Sequence, residues 1–315
     1  MRVKNNLSFV FPGQGSQGIG MLSALAGESP LIRETFTEAS RILGYDLWEI
    51  TQNGPEQELN RTAVTQPALL TAGVAVWRLW QSRNGPVPAL LAGHSLGEYT
   101  ALVCAGAIPF GEAVSLVQDR GRAMQSAVPE GSGLMAAILG LDDERVETIC
   151  REAAEEQLVA TANYNAPGQV VIAGHREAVE RAIGLAREMG AKRAIPLSVS
   201  VPSHCALMQE AAQVFAERIE QVGFADAAIP VLQNVDAVRR KRGADIKAAL
   251  VRQLYEPVRW VEIINKMKAE GIDTVVESGP GKVLTGLIKR IDRDISGFAV
   301  NDTPSLETAL QEANK

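Results

Sequence analysis

The sequence predicts an α/β protein: a larger body built on a largely parallel sheet, interrupted in mid-chain by a smaller ferredoxin-like unit. Two observations carry this. Apolar runs bounded by turn residues alternate with segments of helical period along most of the 315-residue chain, the pattern of strands joined by crossover helices. Between 133 and 198 the order changes to strand, helix, strand, strand, helix, strand, the βαββαβ order of a ferredoxin-like unit.

Taken in order, a strand over 7–11 is followed by helices over 30–43 and 66–83. A strand over 89–93 then leads into helices at 97–106 and 112–127. The middle unit reads as strand LMAAILG, helix DDERVETICREAAEE, strands LVATAN and GQVVIAG, helix HREAVERAIGLAREMG and strand KRAIPLS. The body resumes with a helix over 204–222, a strand over 229–233, a helix over 245–270 interrupted by Pro257, a strand over 273–277, a helix over 281–291 and a strand over 296–300. Because strand and helix alternate again after the unit, the reading assigns 1–130 and 199–315 to the body and 131–198 to the subdomain.

Composition narrows the function. A net charge of -6 lacks the basic balance of a nucleic-acid binder. The dense basic run RRKR, 239–242, reads as a solvated loop. Cys104, Cys150 and Cys205 form no CxxC pair, so neither a disulfide framework nor a zinc site is expected. No apolar run approaches the roughly 18 residues of a membrane span, and the one near the start is too short for a signal-peptide core. A cytoplasmic protein with no membrane partner is the expectation.

Two glycine-bearing stretches carry chemistry. FPGQGSQG, 11–18, matches GxGxxG, but a dinucleotide site needs an acidic residue ending a second strand about 20 positions on. Here that distance falls at Arg33 and Glu34, inside a helical segment. The second stretch, LLAGHSLGEYTAL, runs an apolar strand into Gly93-His94-Ser95-Leu96-Gly97 and then a helix. This is GxSxG in the context of a nucleophile elbow, where glycines permit a sharp turn that holds the serine hydroxyl clear of the sheet.

A serine hydroxyl needs a base, most often histidine. His94 adjoins Ser95 on the turn and should point away from it, in a lining or packing role. His175 opens an amphipathic helix and reads as a solvated first-turn residue. His204, in SVSVPSHCALM at a strand end, is left as the base. Cys205 diverges from it by about 100 degrees on entering a helix and reads as buried packing. Asp142 and Asp143 have the chain order of a triad acid but begin a helix of the inserted unit. A Ser-His dyad held by a backbone carbonyl and a triad both remain open. In QDRGRAMQ, Arg120 or Arg122 could grip a substrate carboxylate bidentately, although composition alone reads either as a surface residue.

FVFPGQGSQ, QPALLTAG, AGHSLGEYTAL, QDRGRAMQ, NYNAPGQVVIAG, SVPSHCALM, QLYEPVRW and ESGPGKVLTGL, in that order, resemble the malonyl-CoA:acyl-carrier-protein transacylase family of fatty acid synthesis over essentially the whole chain. The resemblance implies an α/β-hydrolase-like body with a ferredoxin-like insertion. It implies Ser95 as the acylated nucleophile, His204 as its base, and Arg120 rather than Arg122 as the partner of the malonyl carboxylate. It also implies backbone N–H groups of Gln14 and Leu96 as the oxyanion hole, the Gln253 carbonyl as the group orienting His204, and His94 and Asn163 as lining. No metal or redox cofactor is implied. The expected partners are malonyl-CoA and holo acyl carrier protein, met by a monomer through a positive patch for which Lys282, Lys289 and Arg290 are candidates. The same fold serving polyketide synthesis or malonate decarboxylation is the closest alternative, and a serine thioesterase a more distant one.

Overall fold

The computed structural model describes residues 3–129, 131–197 and 201–315. Glu130, Ser198 and Val199, at the expected subdomain boundaries, lie outside the described residues, as does the end of the strand expected over KRAIPLS. Among the described residues ten strands form two sheets: β1 (Val3–Phe11), β2 (Val87–Gly93), β3 (Gly133–Leu139), β4 (Val159–Ala166), β5 (Gln169–His175), β6 (Arg193–Pro196), β7 (Val231–Leu232), β8 (Arg239–Arg240), β9 (Thr274–Ser278) and β10 (Ser296–Val300). The larger sheet runs β10-β9-β1-β2-β7-β8, parallel throughout except for the edge pair β7–β8. The smaller runs β4-β5-β3-β6 and is wholly antiparallel.

Burial explains the sequence pattern of each sheet. β1 lies at the centre of the parallel sheet with helices on both faces, so Leu7, Phe9, Val10 and Phe11 are all buried and the strand reads as a continuous apolar run. Phe9 meets Trp77 and Trp80 edge-on at 5.0 and 4.9 Å, fastening the helix Thr62–Ser82 to one face. In the smaller sheet one face packs Leu134, Ile138, Val170 and Ile172 against helices Asp143–Ala154 and Arg176–Glu188. The opposite face packs Met135, Ala162, Val171 and Ala173 around Cys205 of the body. The small sheet therefore lies over the large one and closes a cleft at the carboxyl ends of β1 and β2.

Several boundaries differ from the sequence reading. The helix expected from 66 begins at Thr62 and carries Pro67 within it, because its first turn is packed beneath the helix Phe110–Ser126, with Gly121 against Ala63. The segment 245–270 is two helices, Gly243–Gln253 and Trp260–Ala269, with Pro257 between them. The segment 204–222 opens with a 3-10 turn, Ala206–Met208, before the helix Gln209–Glu220. Short helices Ser23–Glu28, Leu47–Asn53 and Glu56–Leu59 and the closing helix Thr303–Ala313 were not expected. The RRKR run is not simply a solvated loop: Arg239–Arg240 pairs with β7, and Arg240 forms an ion pair with Asp236 at 2.8 Å. Among the described residues no helix is long and apolar enough to cross a membrane.

Candidate active site

The turn after β2 is built by close backbone approach. A Cβ on Gly93 would sit 1.9 Å from the Gly97 carbonyl, and one on Gly97 would sit 1.9 Å from the carbonyl oxygen of Phe11. Only glycine fits either position. Between them Ser95 takes a left-handed backbone, φ 51°, a strained choice for a residue with a side chain. The loop after β1 is pressed against this turn: His94 N–H donates to Phe11 O at 3.0 Å, and a Cβ on Gly13 would lie 2.5 Å from His94 O. This contact puts Gln14 and Leu96 on the wall of the same pocket as Ser95. The GxGxxG match is thus a loop that braces the serine turn.

His204 reaches the serine from the other side of the cleft. Its Nε2 lies 2.7 Å from Ser95 Oγ, and its Nδ1 lies 2.7 Å from the backbone oxygen of Gln253. A carbonyl only accepts, so Nδ1 carries the proton and Nε2 is left free to take one from Ser95. Burial first, and then the charge of Arg120, push His204 down to about 3, so the ring is neutral at physiological pH. The structure thus presents a dyad held by a carbonyl. Asp142, the possible third member, instead caps the helix Asp143–Ala154 through Arg145 N–H.

The two arginines separate cleanly. Arg120 is 1% exposed. It donates to Gln66 Oε1 and Gln253 Oε1, each at 2.9 Å, and its Nη2 lies 3.4 Å from Ser95 Oγ. Arg122, two residues on and about 200 degrees round the helix, is 61% exposed and faces Asp119. A buried guanidinium beside a serine hydroxyl can pair with an anionic group brought to that hydroxyl.

His94 lines the pocket, its Nε2 2.8 Å from Asn165 Oδ1 and its ring beside Trp260. Burial lowers it, so it too is neutral. Asn163 sits where β4 slips register against β5, a bulge that turns its side chain into the pocket. Cys205 is buried packing, donating to Pro202 O, with burial pushing its thiol up to about 12. His175 departs from its expected solvated place: it precedes its helix and its Nδ1 accepts the Leu158 N–H at 2.9 Å. The pocket has a volume of about 100 Å³, and Met135 and Leu197 also line it.

Four functional contacts lay outside the sequence reading. Gln66 holds Arg120 from below. Asn234, on the turn after β7, accepts the Ser95 N–H and donates to Gly93 O, both at 2.7 Å. The Gln253 side chain donates to Ser95 O at 2.9 Å, beyond the carbonyl role expected of that residue. Glu98 accepts from both Asn234 and Gln253.

The chain matches the acyl transferase domain family over residues 8–304. It is 56% identical over 305 residues to the malonyl CoA-acyl carrier protein transacylase of Salmonella typhimurium, covering 97% of this chain and 99% of that protein. It belongs to the malonyl CoA-acyl carrier protein transacylase family. Members of this family also have its fold: the acyl carrier protein S-malonyltransferase of Vibrio cholerae superposes with a TM-score of 0.94 at 55% identity, covering 96% of this chain and 99% of that one. A second solved relative, at a TM-score of 0.96 and 55% identity over 98% of this chain and 99% of its own, is a malonyl-transacylase in complex with a type II PKS acyl-carrier protein. The α/β-hydrolase-like body with its ferredoxin-like insertion is therefore the family's architecture, and the protein is an acyltransferase.

Proposed function

We propose that this acyltransferase moves a malonyl group from malonyl-CoA to the phosphopantetheine thiol of acyl carrier protein through a malonyl-Ser95 ester, in the cytoplasm, supplying fatty acid synthesis. The observation that carries the reading is the buried, hydrogen-bonded Arg120 guanidinium 3.4 Å from Ser95 Oγ, in the same pocket as a neutral histidine. A carboxylated acyl group gives that cation a partner; an acetyl group does not.

In the first half-reaction His204 Nε2 takes the Ser95 proton as the hydroxyl attacks the thioester carbonyl. The oxyanion is received by the backbone N–H groups of Gln14 and Leu96; removing such a donor typically costs about 100- to 1000-fold in rate. The imidazolium passes its proton to the departing coenzyme A sulfur, and a malonyl ester remains on Ser95. The carrier thiol then enters the same cleft, gives its proton to His204 and takes the malonyl group, and His204 returns that proton to the departing Ser95 oxygen. The Gln253 carbonyl orients His204, while His94 and Asn163 line the acyl space. Residues 131–198 act as a subdomain that supplies the acyl wall.

A monomer is the proposed working unit, since the serine, its base, the arginine and the proposed oxyanion donors all line one pocket of the chain. Carrier proteins are acidic, and Lys282, Lys289 and Arg290 are the proposed docking cations. In support, Lys289 and Arg290 line a surface groove with Lys192, Arg193 and Arg293. The test is mass spectrometry after incubation with malonyl-CoA, followed by addition of fatty-acid or polyketide holo carrier. A Ser95 adduct that persists until carrier is added supports the reading; free malonate released without carrier would show a hydrolase instead.

A further inference from the structure

Glu98 is a fully buried carboxyl that the transfer steps above do not use. It is the second residue of the helix Gly97–Cys104. Its Oε2 accepts the Asn234 N–H at 2.9 Å and the Gln253 side-chain N–H at 3.0 Å, while its Oε1 has no partner among the described residues. The same Gln253 amide turns its oxygen to Arg120 Nη2 at 2.9 Å. Arg120, Gln253 and Glu98 thus form a relay in which one amide dipole presents its oxygen to the cation and its nitrogen to the anion.

Around this relay the charges nearly cancel. Arg120 faces Glu98 across Gln253, Asp236 and Arg240 form their own ion pair nearby, Tyr99 adjoins on the same helix and is kept neutral by burial, and His204 beside Arg120 is neutral. With Glu98 ionised, Arg120 already has a counter-charge. A carboxylate carried on Ser95 would bring a second anion to the same cation, and burying an uncompensated charge is costly unless a group changes its protonation. Burial raises Glu98 to about 7, which puts that proton within reach near neutral pH.

We propose that the Glu98 carboxylate and the acyl carboxylate alternate as counter-ion to Arg120, so that loading a carboxylated acyl group onto Ser95 takes up a proton at Glu98. Glu98 thereby sets the selectivity of a clamp it does not touch directly. The inference rests on the malonyl-transfer reading. The transfer itself is proton-neutral, since the Ser95 proton leaves through His204 on the coenzyme A thiol. The additional proton comes from solvent, neutralises the Glu98 carboxylate, and returns to solvent when the malonyl group departs onto the carrier.

The test mixes stoichiometric protein and malonyl-CoA in lightly buffered solution near pH 7.5 with an indicator dye, and quantifies the Ser95 adduct in the same sample by mass spectrometry. Acetyl-CoA is the control that cancels the contribution of the released thiol. Malonyl loading is expected to take up about half to one proton per adduct beyond acetyl loading, and the malonyl loading equilibrium to weaken by up to about tenfold per pH unit above neutrality. Glu98→Gln keeps an acceptor for both N–H groups and is expected to load malonyl without the excess uptake or the pH slope. Full malonylation of the unaltered protein without excess uptake would overturn the proposal, as would uptake undiminished in Glu98→Gln. Should that variant fail to fold, the contrast between malonyl and acetyl in the unaltered protein still decides. Failure of the Ser95 adduct to form would overturn the transfer reading itself, and the proposal with it, and is seen in the mass spectrum independently of the proton trace.

Discussion

The two sheets divide the labour of the cleft. The larger sheet ends its parallel strands at one edge, so the loops after β1, β2 and β7 converge there, and with the end of the helix Gly243–Gln253 they hold Ser95 from several sides: the Phe11 carbonyl on the adjacent His94 N–H, the Asn234 side-chain Oδ1 on its own N–H, and the Gln253 side-chain Nε2 on its carbonyl. Among the described residues the antiparallel sheet contributes no titrating group to the pocket lining. What it brings is surface: Met135 from β3, Asn163 from a bulge in β4, and Leu197 just past β6. The difference teaches that a parallel sheet gathers polar backbone and reactive side chains at its carboxyl edge, whereas a sheet laid over it contributes mainly the surface that closes the pocket.

Four substitutions test that division, and the first should have the largest effect. Ser95→Ala removes the attacking oxygen, and malonyl loading measured by radiolabel should fall by on the order of 10⁴-fold or more; retained transfer would place the chemistry elsewhere. Arg120→Ala removes the cation of the parallel-sheet half, and malonyl loading should fall by about 10- to 150-fold, the worth of a charge-assisted bond of about 1.5–3 kcal/mol. Acetyl loading should be little changed, and equal losses for both acyl groups would refute the clamp.

The third concerns acid. A neutral buried His204 binds fewer protons in the folded than in the unfolded chain, so its contribution to stability is complete above the ordinary histidine value of 6.5 and is lost as the pH falls toward about 3. Unfolding free energies from denaturant titration should therefore decline over that window by up to about 1.4 kcal/mol per pH unit, and His204→Gln should flatten the slope. The smallest effect belongs to the small sheet. Met135→Ala enlarges the acyl wall, and the ratio of methylmalonyl to malonyl loading should rise by about tenfold or less, with Ser95 acylation otherwise intact. A loss of all loading in this variant would mean that the upper sheet does more than shape the pocket.

Much of the lower site was legible in the sequence because its demands are local. A strand that must turn sharply into a helix while keeping a serine outside needs glycine on either side, and Gly93 and Gly97 write that demand into five consecutive residues. His204 emerged because the chain has few histidines and the serine needs one. Arg120 and Arg122 could not be separated by local pattern; the family resemblance chose between them, and helix phase explains the choice. The small sheet was legible as a run of elements, since βαββαβ is a local order, but not as the roof of the cleft.

What the sequence alone determined were the parts written in short-range chemistry: the alternation of strands and helices, the serine turn, the chain's two kinds of sheet, and the residue types from which a base and a cation could be drawn. Only the tertiary structure decided the support around them. Gln253 meets Ser95 across 158 positions, Asn234 meets it across 139, and Glu98 receives its bonds from both. Nothing near an asparagine or glutamine in the chain announces such a contact. The polar groups are paired because burial leaves each N–H and oxygen only the partners that the fold brings within reach, and that pairing exists once the strands have been set side by side.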